Sequence, residues 1–329
     1  VTQDQGCPFH SEYSDELLEI CRRTFQRPGP DGSLSRQFHA KTHACLKATL
    51  RIDPPDDPVL RKGLFAKPGC YEAFVRFSNA FFDDDSHPDL RGMGIKLRGV
   101  EGAVCEGAPS GQQDFVLMNS AIGPSKDAAD AMEFFRALDG IRRATAVAIL
   151  APRYLFPSFL PWRMRWRHLT FLNGSGLRHL LGRDLAQMTY NSVTPYRLGD
   201  GAMKVLLRPD GAARIRPSTK GRDFGAKVLA ALDQGPIRFE FCLQPRVLDG
   251  DSLEDTRRAW KSPIHSVGVL EIPPQDVAAT VALGEQLALS PWNCLVAHEP
   301  LGSINALRRA AYAASAANRG ADAVPPSWV

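Results

Sequence analysis

The chain has 329 residues, 44% of them apolar, and a net charge of +4 from 40 basic and 36 acidic residues. That balance is too mild to argue for nucleic acid as a partner. No apolar run approaches the roughly 18–20 residues that span a bilayer, and the polar opening Val1-Thr2-Gln3-Asp4-Gln5 has no signal-peptide core, so a cytoplasmic protein is expected. The seven cysteines are scattered and none forms a C-x-x-C pair. They read as buried free thiols, not as zinc ligands or a disulfide framework.

In chain order, a first helix is expected over 14–23, with Ser14 as N-cap and Leu17, Leu18 and Cys21 on one face. The pattern then turns strand-like to about residue 120. Strands are expected at 45–52, stopped by Asp53-Pro54-Pro55, and at 74–78, 94–98 and 113–118. A helix follows over 127–138. The stretch 141–181 is rich in apolar, aromatic and arginine residues. Strands return at 204–208 and at 237–243, where Ile237-Arg238-Phe239-Glu240-Phe241 alternates cleanly, and again at 265–272. Helices are expected over 275–287 and 304–318. Strand clusters with late helices point to one α+β domain, an antiparallel β-barrel core with flanking helices. Within 1–329 we expect an N-terminal helical arm (1–32), a helical insertion (141–185) and C-terminal helices (275–320).

Four groups of residues could carry chemistry. Arg308 and Tyr312 stand four apart on the last helix, hence on one face, where a guanidinium favours the phenolate, a hard anionic donor for a ferric ion. His39 and His43 lie in Arg36-Gln37-Phe38-His39-Ala40-Lys41-Thr42-His43, just before the first strand, and neutral imidazoles there could move protons near pH 7. Asn119 ends the strand at 113–118 and could donate a hydrogen bond to substrate oxygen. Arg76 sits mid-strand among apolar residues, so it needs an anionic partner. Taken singly, each has a plainer structural reading: a surface pair, rim histidines, a turn residue, an internal ion pair.

Taken together and in order, these pieces resemble the catalase superfamily. The matches are Arg36-x-x-His39-Ala40-Lys41, Val75-Arg76-Phe77-Ser78, Asp89-x-Arg91-Gly92-Met93-Gly94-Ile95-Lys96-Leu97, Asp114-Phe115-Val116-Leu117-Met118-Asn119, Thr189-Tyr190-Asn191-Ser192-x-x-Pro195-Tyr196-Arg197-Leu198-Gly199 and Arg308-x-x-x-Tyr312. The chain is similar to the small, catalase-related haem proteins, and the resemblance implies a catalase-like barrel without the C-terminal helical domain. It also implies haem b with ferric iron held by Tyr312, with Arg308 as the partner of Tyr312 and with Arg76 and Arg36 meeting the propionates. Phe134 or Phe135 would stack on the macrocycle. For the distal base, His39 matches the true-catalase pattern, while Thr42-His43 matches the Thr-His pair of the related branch. His43 runs straight into the strand and is favoured, with Thr42 hydrogen-bonding beside it. Asn119 is the candidate distal amide, with Gln112 and Gln113 as alternatives.

The implied activity is a haem peroxidase that reduces hydrogen peroxide or organic hydroperoxides with a small organic reductant, with weak catalase activity and as a homo-oligomer. Two other readings stand beside it. The same site could isomerise or dehydrate a fatty-acid hydroperoxide without a reductant. Alternatively, the basic-aromatic run at 162–167 could place a non-catalytic haem protein on an anionic membrane surface, although a subunit contact or a lid is the plainer role for it.

Overall fold

The computed structural model describes residues 13–26, 28, 32, 34–81, 84–86, 89–139, 184–211, 223–277 and 280–321. Its strands are β1 (Thr42–Ile52), β2 (Gly69–Asn79), β3 (Arg91–Val100), β4 (Gly111–Met118), β5 (Tyr190–Asn191), β6 (Tyr196–Leu198), β7 (Gly201–Pro209), β8 (Ile237–Pro245) and β9 (His265–Ile272). Side chains alternate across each strand. One face sends Ala44, Leu46, Ala48 and Leu50 of β1, Val75 and Phe77 of β2, Ile95 and Leu97 of β3, and Phe239, Phe241 and Leu243 of β8 into one core.

All neighbouring strands run antiparallel, in the order β5-β4-β3-β2-β1-β9-β8-β7-β6. The two-residue β5 pairs with both β4 and β7, through Met118↔Asn191 and Tyr190↔Leu207. That double pairing closes an eight-stranded barrel, and β6 adds to β7 outside the ring. Closure leaves no long free edge and gives the apolar face a sealed interior.

Among the described residues five α-helices flank the barrel: α1 (Ser14–Ile20), α2 (Ala128–Leu138), α3 (Phe224–Leu232), α4 (Val281–Gln286) and α5 (Ser303–Asn318). The expected barrel with flanking helices is therefore present, with corrections in detail. Ser14 is the first helical residue and not the N-cap; Tyr13 takes that place, and the helix continues into a π-turn over Cys21–Phe25. Asp127 does cap α2, accepting from Asp130 N at 2.9 Å. The helix expected from 275 is shorter, because Gln275 bonds both backbone groups of Lys47 at 2.8 Å and so extends the ladder of β1. The helix α3 was missed. The helical insertion at 141–185 falls, except for residues 184 and 185, outside the described residues, as do the 162–167 run and half of the 1–32 arm.

One buried ion pair ties the barrel wall to the segment leading into α5. Lys96 Nζ meets both carboxylate oxygens of Asp114 at 2.8 and 3.0 Å, and both side chains are fully buried. Asp114 also accepts from Ser290 N and from Asn293 Nδ2, each at 3.0 Å. Trp292 Nε1 then donates to Asn305 O (2.9 Å), within the first turn of α5. A buried charge pair persists only when its remaining hydrogen-bonding capacity is met, and here that requirement fixes where α5 starts.

Candidate functional site

Glycines on the outer wall of the barrel make room for a pocket. On β3, Met93 and Ile95 face the core, so Gly92 and Gly94 face outward, where a Cβ on Gly92 would overlap the His39 ring and one on Gly94 would overlap Leu289. Glycine inside a strand marks a close approach by another group. The pocket offers about 100 Å³ of enclosed room, and about 660 Å³ when the space open to solvent is counted. Its floor is Arg76, Ser78, Gly92, Gly94 and Val116 of β2 to β4, the residues 36–39 wall one side, and Tyr312 and Ser315 of α5 close it with Arg319, the residue that caps that helix.

Arg308, Tyr312, Ser315 and Arg319 fall on one helical stripe, at i, i+4, i+7 and i+11. Arg308 Nη2 donates to Tyr312 Oη at 3.2 Å, while its Nη1 is held by Thr194 Oγ1 (2.9 Å) and Asn305 Oδ1 (3.0 Å). Burial works against the charge of Arg308. The phenols of Tyr312 and Tyr196 outweigh it, and the guanidinium ends above its ordinary value. A permanent cation therefore stands against the Tyr312 oxygen.

Three more guanidiniums border the pocket. Arg76 Nε donates to Gly284 O (3.1 Å) and its Nη2 to His39 O (2.7 Å) and Thr42 Oγ1 (2.6 Å). Arg36 Nη2 donates to Gly284 O (2.9 Å) and to Leu287 O, and Arg319 Nη1 to Glu285 O (2.7 Å). The Glu285 carboxylate lies 3.5 Å from Arg76 and 3.9 Å from Arg36. Burial, and then mutual repulsion, lowers Arg36 well below the usual guanidinium range and brings Arg319 to about 10. Three cations around one carboxylate leave an excess of positive charge, which suits an anionic ligand.

The two histidines part company. His39 lines the pocket, its backbone in the left-handed region (φ 56°) and its Nδ1 3.0 Å from Ser78 Oγ. The residue is half-buried at the pocket wall, and desolvation, then the charges of Arg76, Arg308 and Arg36, bring its ring down to about 3. His43, favoured by sequence, is absent from the pocket lining. It does run into the strand, but Thr42 pairs with Ser78 and Ala44 with Phe77, so His43 is the extra residue of a β-bulge. Its Nε2 donates to Asn79 Oδ1 (2.7 Å), because Asn79 Nδ2 is donating to Asp85 Oδ1 (2.7 Å), and its ring lies 5.5 Å from that of Phe224 on α3. Burial brings this imidazole down to about 4.

The remaining expectations divide in the same way. Arg36, Arg76 and Tyr312 line the pocket, with Arg308 behind Tyr312. Thr42 does not line it; the hydroxyl accepts from Arg76 and donates to Glu285, so it props a guanidinium and does not serve a histidine. Asn119 is bound up with β3, its Oδ1 accepting from Arg91 N (2.8 Å) and its own N donating to Arg91 O (2.9 Å). Gln112 Oε1 accepts from Lys96 Nζ (2.9 Å), and Gln113 Oε1 from Leu295 N (2.9 Å). Phe134 packs beside Phe135 in the α1–α2 cluster, and the phenylalanine that lines the pocket is Phe38, 5.7 Å from Phe135. Ser78, Gly92, Gly94 and Arg319 were missed. The seven-residue step from Tyr312 to Arg319 and the alternating glycines were the available signals.

Among the described residues, no three His, Cys, Asp or Glu side chains converge as a metal site, and no helix is long and apolar enough to cross a membrane. No family model and no curated relative matches the chain. Solved structures do. A fungal catalase matches with TM-score 0.63 at 18% identity over 95% of this chain and 62% of its own. Catalase A from Saccharomyces cerevisiae matches with 0.62 at 18% over 94% and 64%, and a bacterial catalase with 0.62 at 16% over 93% and 60%. The chain thus spans about three fifths of the length of these catalases. At such identities the likeness concerns architecture: nearly all of this chain folds as part of a catalase does, and it carries the catalase fold.

Proposed function

We propose that the pocket holds haem b and that the protein is a haem peroxidase acting on hydroperoxides. The observation that carries this reading is the convergence, in one pocket, of an arginine-backed phenol, a histidine and three guanidiniums. The residues fit the group. Tyr312 would hold the ferric iron through its phenol oxygen, Arg36, Arg76 and Arg319 would meet the two propionates, and Phe38, Val116 and Leu289 give apolar sides. Bound there, the haem supplies the cleavage of a peroxide O–O bond and the electron transfer that follows.

The chain's own groups do the rest. Arg308 fixes the position of the Tyr312 oxygen through Nη2. Ser78 fixes the His39 ring through Nδ1 and leaves Nε2 as the atom that can take the proton of an incoming hydroperoxide and return it to the departing oxygen. His39 is neutral at pH 7, as a proton acceptor must be, and propionate charge beside Arg36 and Arg76 would restore some of its basicity. The distal role thus falls to His39 in this reading, while His43 belongs to the barrel. A small organic reductant completes the cycle.

The apolar lining by Phe38, Val116, Leu117 and Leu289 favours one further reading, the rearrangement of a fatty-acid hydroperoxide without a reductant. Haem titration followed optically, then peroxide turnover with and without an organic reductant and product analysis of a fatty-acid hydroperoxide, tests both. Stoichiometric haem binding and reductant-dependent turnover that fails in His39→Ala support the peroxidase. Reductant-free isomerisation supports the second reading, and the absence of haem binding overturns both.

A further inference from the structure

Two thiols that play no part in the pocket lie in contact. Val104 and Leu295 form an antiparallel bridge, and Cys105 N donates to Cys294 O at 2.9 Å, so Cys105 and Cys294 face each other across two chain segments. Cross-strand partners of this kind have Cα atoms within the span a disulfide accepts, roughly 4.4–6.8 Å. The Sγ atoms are 3.5 Å apart, with the Cys294 thiol donating to the Cys105 sulfur. Among the described residues no other two cysteine sulfurs touch: Cys21, Cys45 and Cys242 are buried elsewhere, and Cys70 is exposed. Cys105 retains 7% exposure while Cys294 has none. The hydrogen bond from Cys294 lowers the Cys105 thiol, with smaller help from Arg309 and Arg197, and that same bond, then burial, raises Cys294.

We propose that Cys105 and Cys294 form a peroxide-reactive dithiol site, with Cys105 the attacking thiolate and Cys294 the resolving thiol. The Cys105 sulfur attacks one oxygen of a hydroperoxide, and the O–O bond breaks. The far oxygen leaves with a proton as alcohol or water, and Cys105 becomes a sulfenic acid. The Cys294 sulfur then attacks the Cys105 sulfur. The S–O bond breaks, hydroxide leaves with the Cys294 proton as water, and the disulfide forms. Two thiols have supplied the two electrons that reduce one peroxide. The step uses none of the pocket residues and so does not depend on the haem reading.

The position gives the bond a structural consequence. Arg309 on α5 donates to Glu106 O (2.6 Å) and lies 4.5 Å over the Trp292 ring, and Trp292 holds Asn305. A disulfide at 105–294 would fasten the loop carrying Glu106 to the segment that seats the Tyr312 helix. The test exposes the full-length protein, without added haem, to hydrogen peroxide, quenches by alkylation under denaturing conditions and maps the peptides. The expected result is a linked Cys105–Cys294 peptide pair that has lost two hydrogens and is released by dithiothreitol. In Cys294→Ser, dimedone should label Cys105 as the sulfenic acid. Full alkylation of both wild-type thiols after exposure, or a disulfide that joins a different pair, overturns the proposal. So does a Cys294→Ser protein whose Cys105 stays unlabelled.

Discussion

His39 and His43 are four residues apart, yet one faces an open, cationic pocket and the other sits in a closed polar network. The pocket around His39 has guanidiniums in excess of carboxylates and a ring held at one nitrogen by Ser78. Around His43, Asn79 and Asp85 satisfy the ring and its neighbours, Lys41 Nζ neutralises Asp85 at 2.9 Å, and Phe224 covers the whole. A catalytic base needs one ring nitrogen unspent and a ligand within reach; a structural histidine needs both atoms accommodated and water excluded. The single extra residue of the bulge at His43 separates the two outcomes.

Substitutions can break that comparison. The largest effect is expected at His39: His39→Ala should lower peroxide turnover by ~10²–10⁴-fold, the range for losing a general acid–base group. His43→Ala should leave turnover per folded molecule near wild type and instead reduce unfolding stability by ~0.5–1.5 kcal/mol, since one buried hydrogen bond is lost while Arg91 still donates to the Asn79 oxygen. Equal losses of turnover in the two variants would erase the distinction. Next, Asp114→Ala leaves Lys96 charged and buried and should destabilise the protein by ~3–5 kcal/mol in a urea melt, whatever the state of the pocket.

Smaller effects sharpen the comparison. Arg319→Leu should weaken haem binding by ~10–100-fold in an optical titration while leaving the melting temperature nearly unchanged, the loss typical of a supporting contact. The pH dependence of unfolding reports on the closed network. His43 is brought down to about 4 from an ordinary 6.5, so the unfolded chain binds its proton first as pH falls. The stability tied to this group is complete above pH 6.5 and declines as the solution is acidified toward pH 4, with a limiting slope of ~1.4 kcal/mol per pH unit. His298, buried and also brought to about 4, acts in the same direction. In His43→Gln the slope of stability against pH between 6.5 and 4 should be shallower; an unchanged slope would mean that the imidazole is not held neutral by the fold.

How much of this could be read from the chain depends on whether the determining partner is near in sequence. The barrel was legible because Ile237, Phe239, Phe241 and Leu243 announce their inward face within one strand. Tyr312 and Arg308 were legible because one helical turn relates them. The bulge at His43 was not, since a bulge exists only relative to the register of Phe77 and Ser78 on the facing strand. Asn119 was misleading for a similar reason, its amide being engaged by the backbone of Arg91, 28 residues earlier. The strands β5 and β6, of two and three residues, are defined by pairing and not by pattern. Arg319 was within reach, and the stripe from Arg308 through Tyr312 and Ser315 should be continued to it whenever one helix carries a candidate ligand.

The central claim is that a phenolate from α5 binds ferric haem in the pocket that His39 lines. Optical and electron paramagnetic resonance spectra of haem-loaded wild-type protein beside Tyr312→Phe test it most directly. The account predicts a high-spin ferric spectrum whose phenolate-dependent features disappear in Tyr312→Phe while that variant still folds. Identical spectra for the two proteins would contradict it.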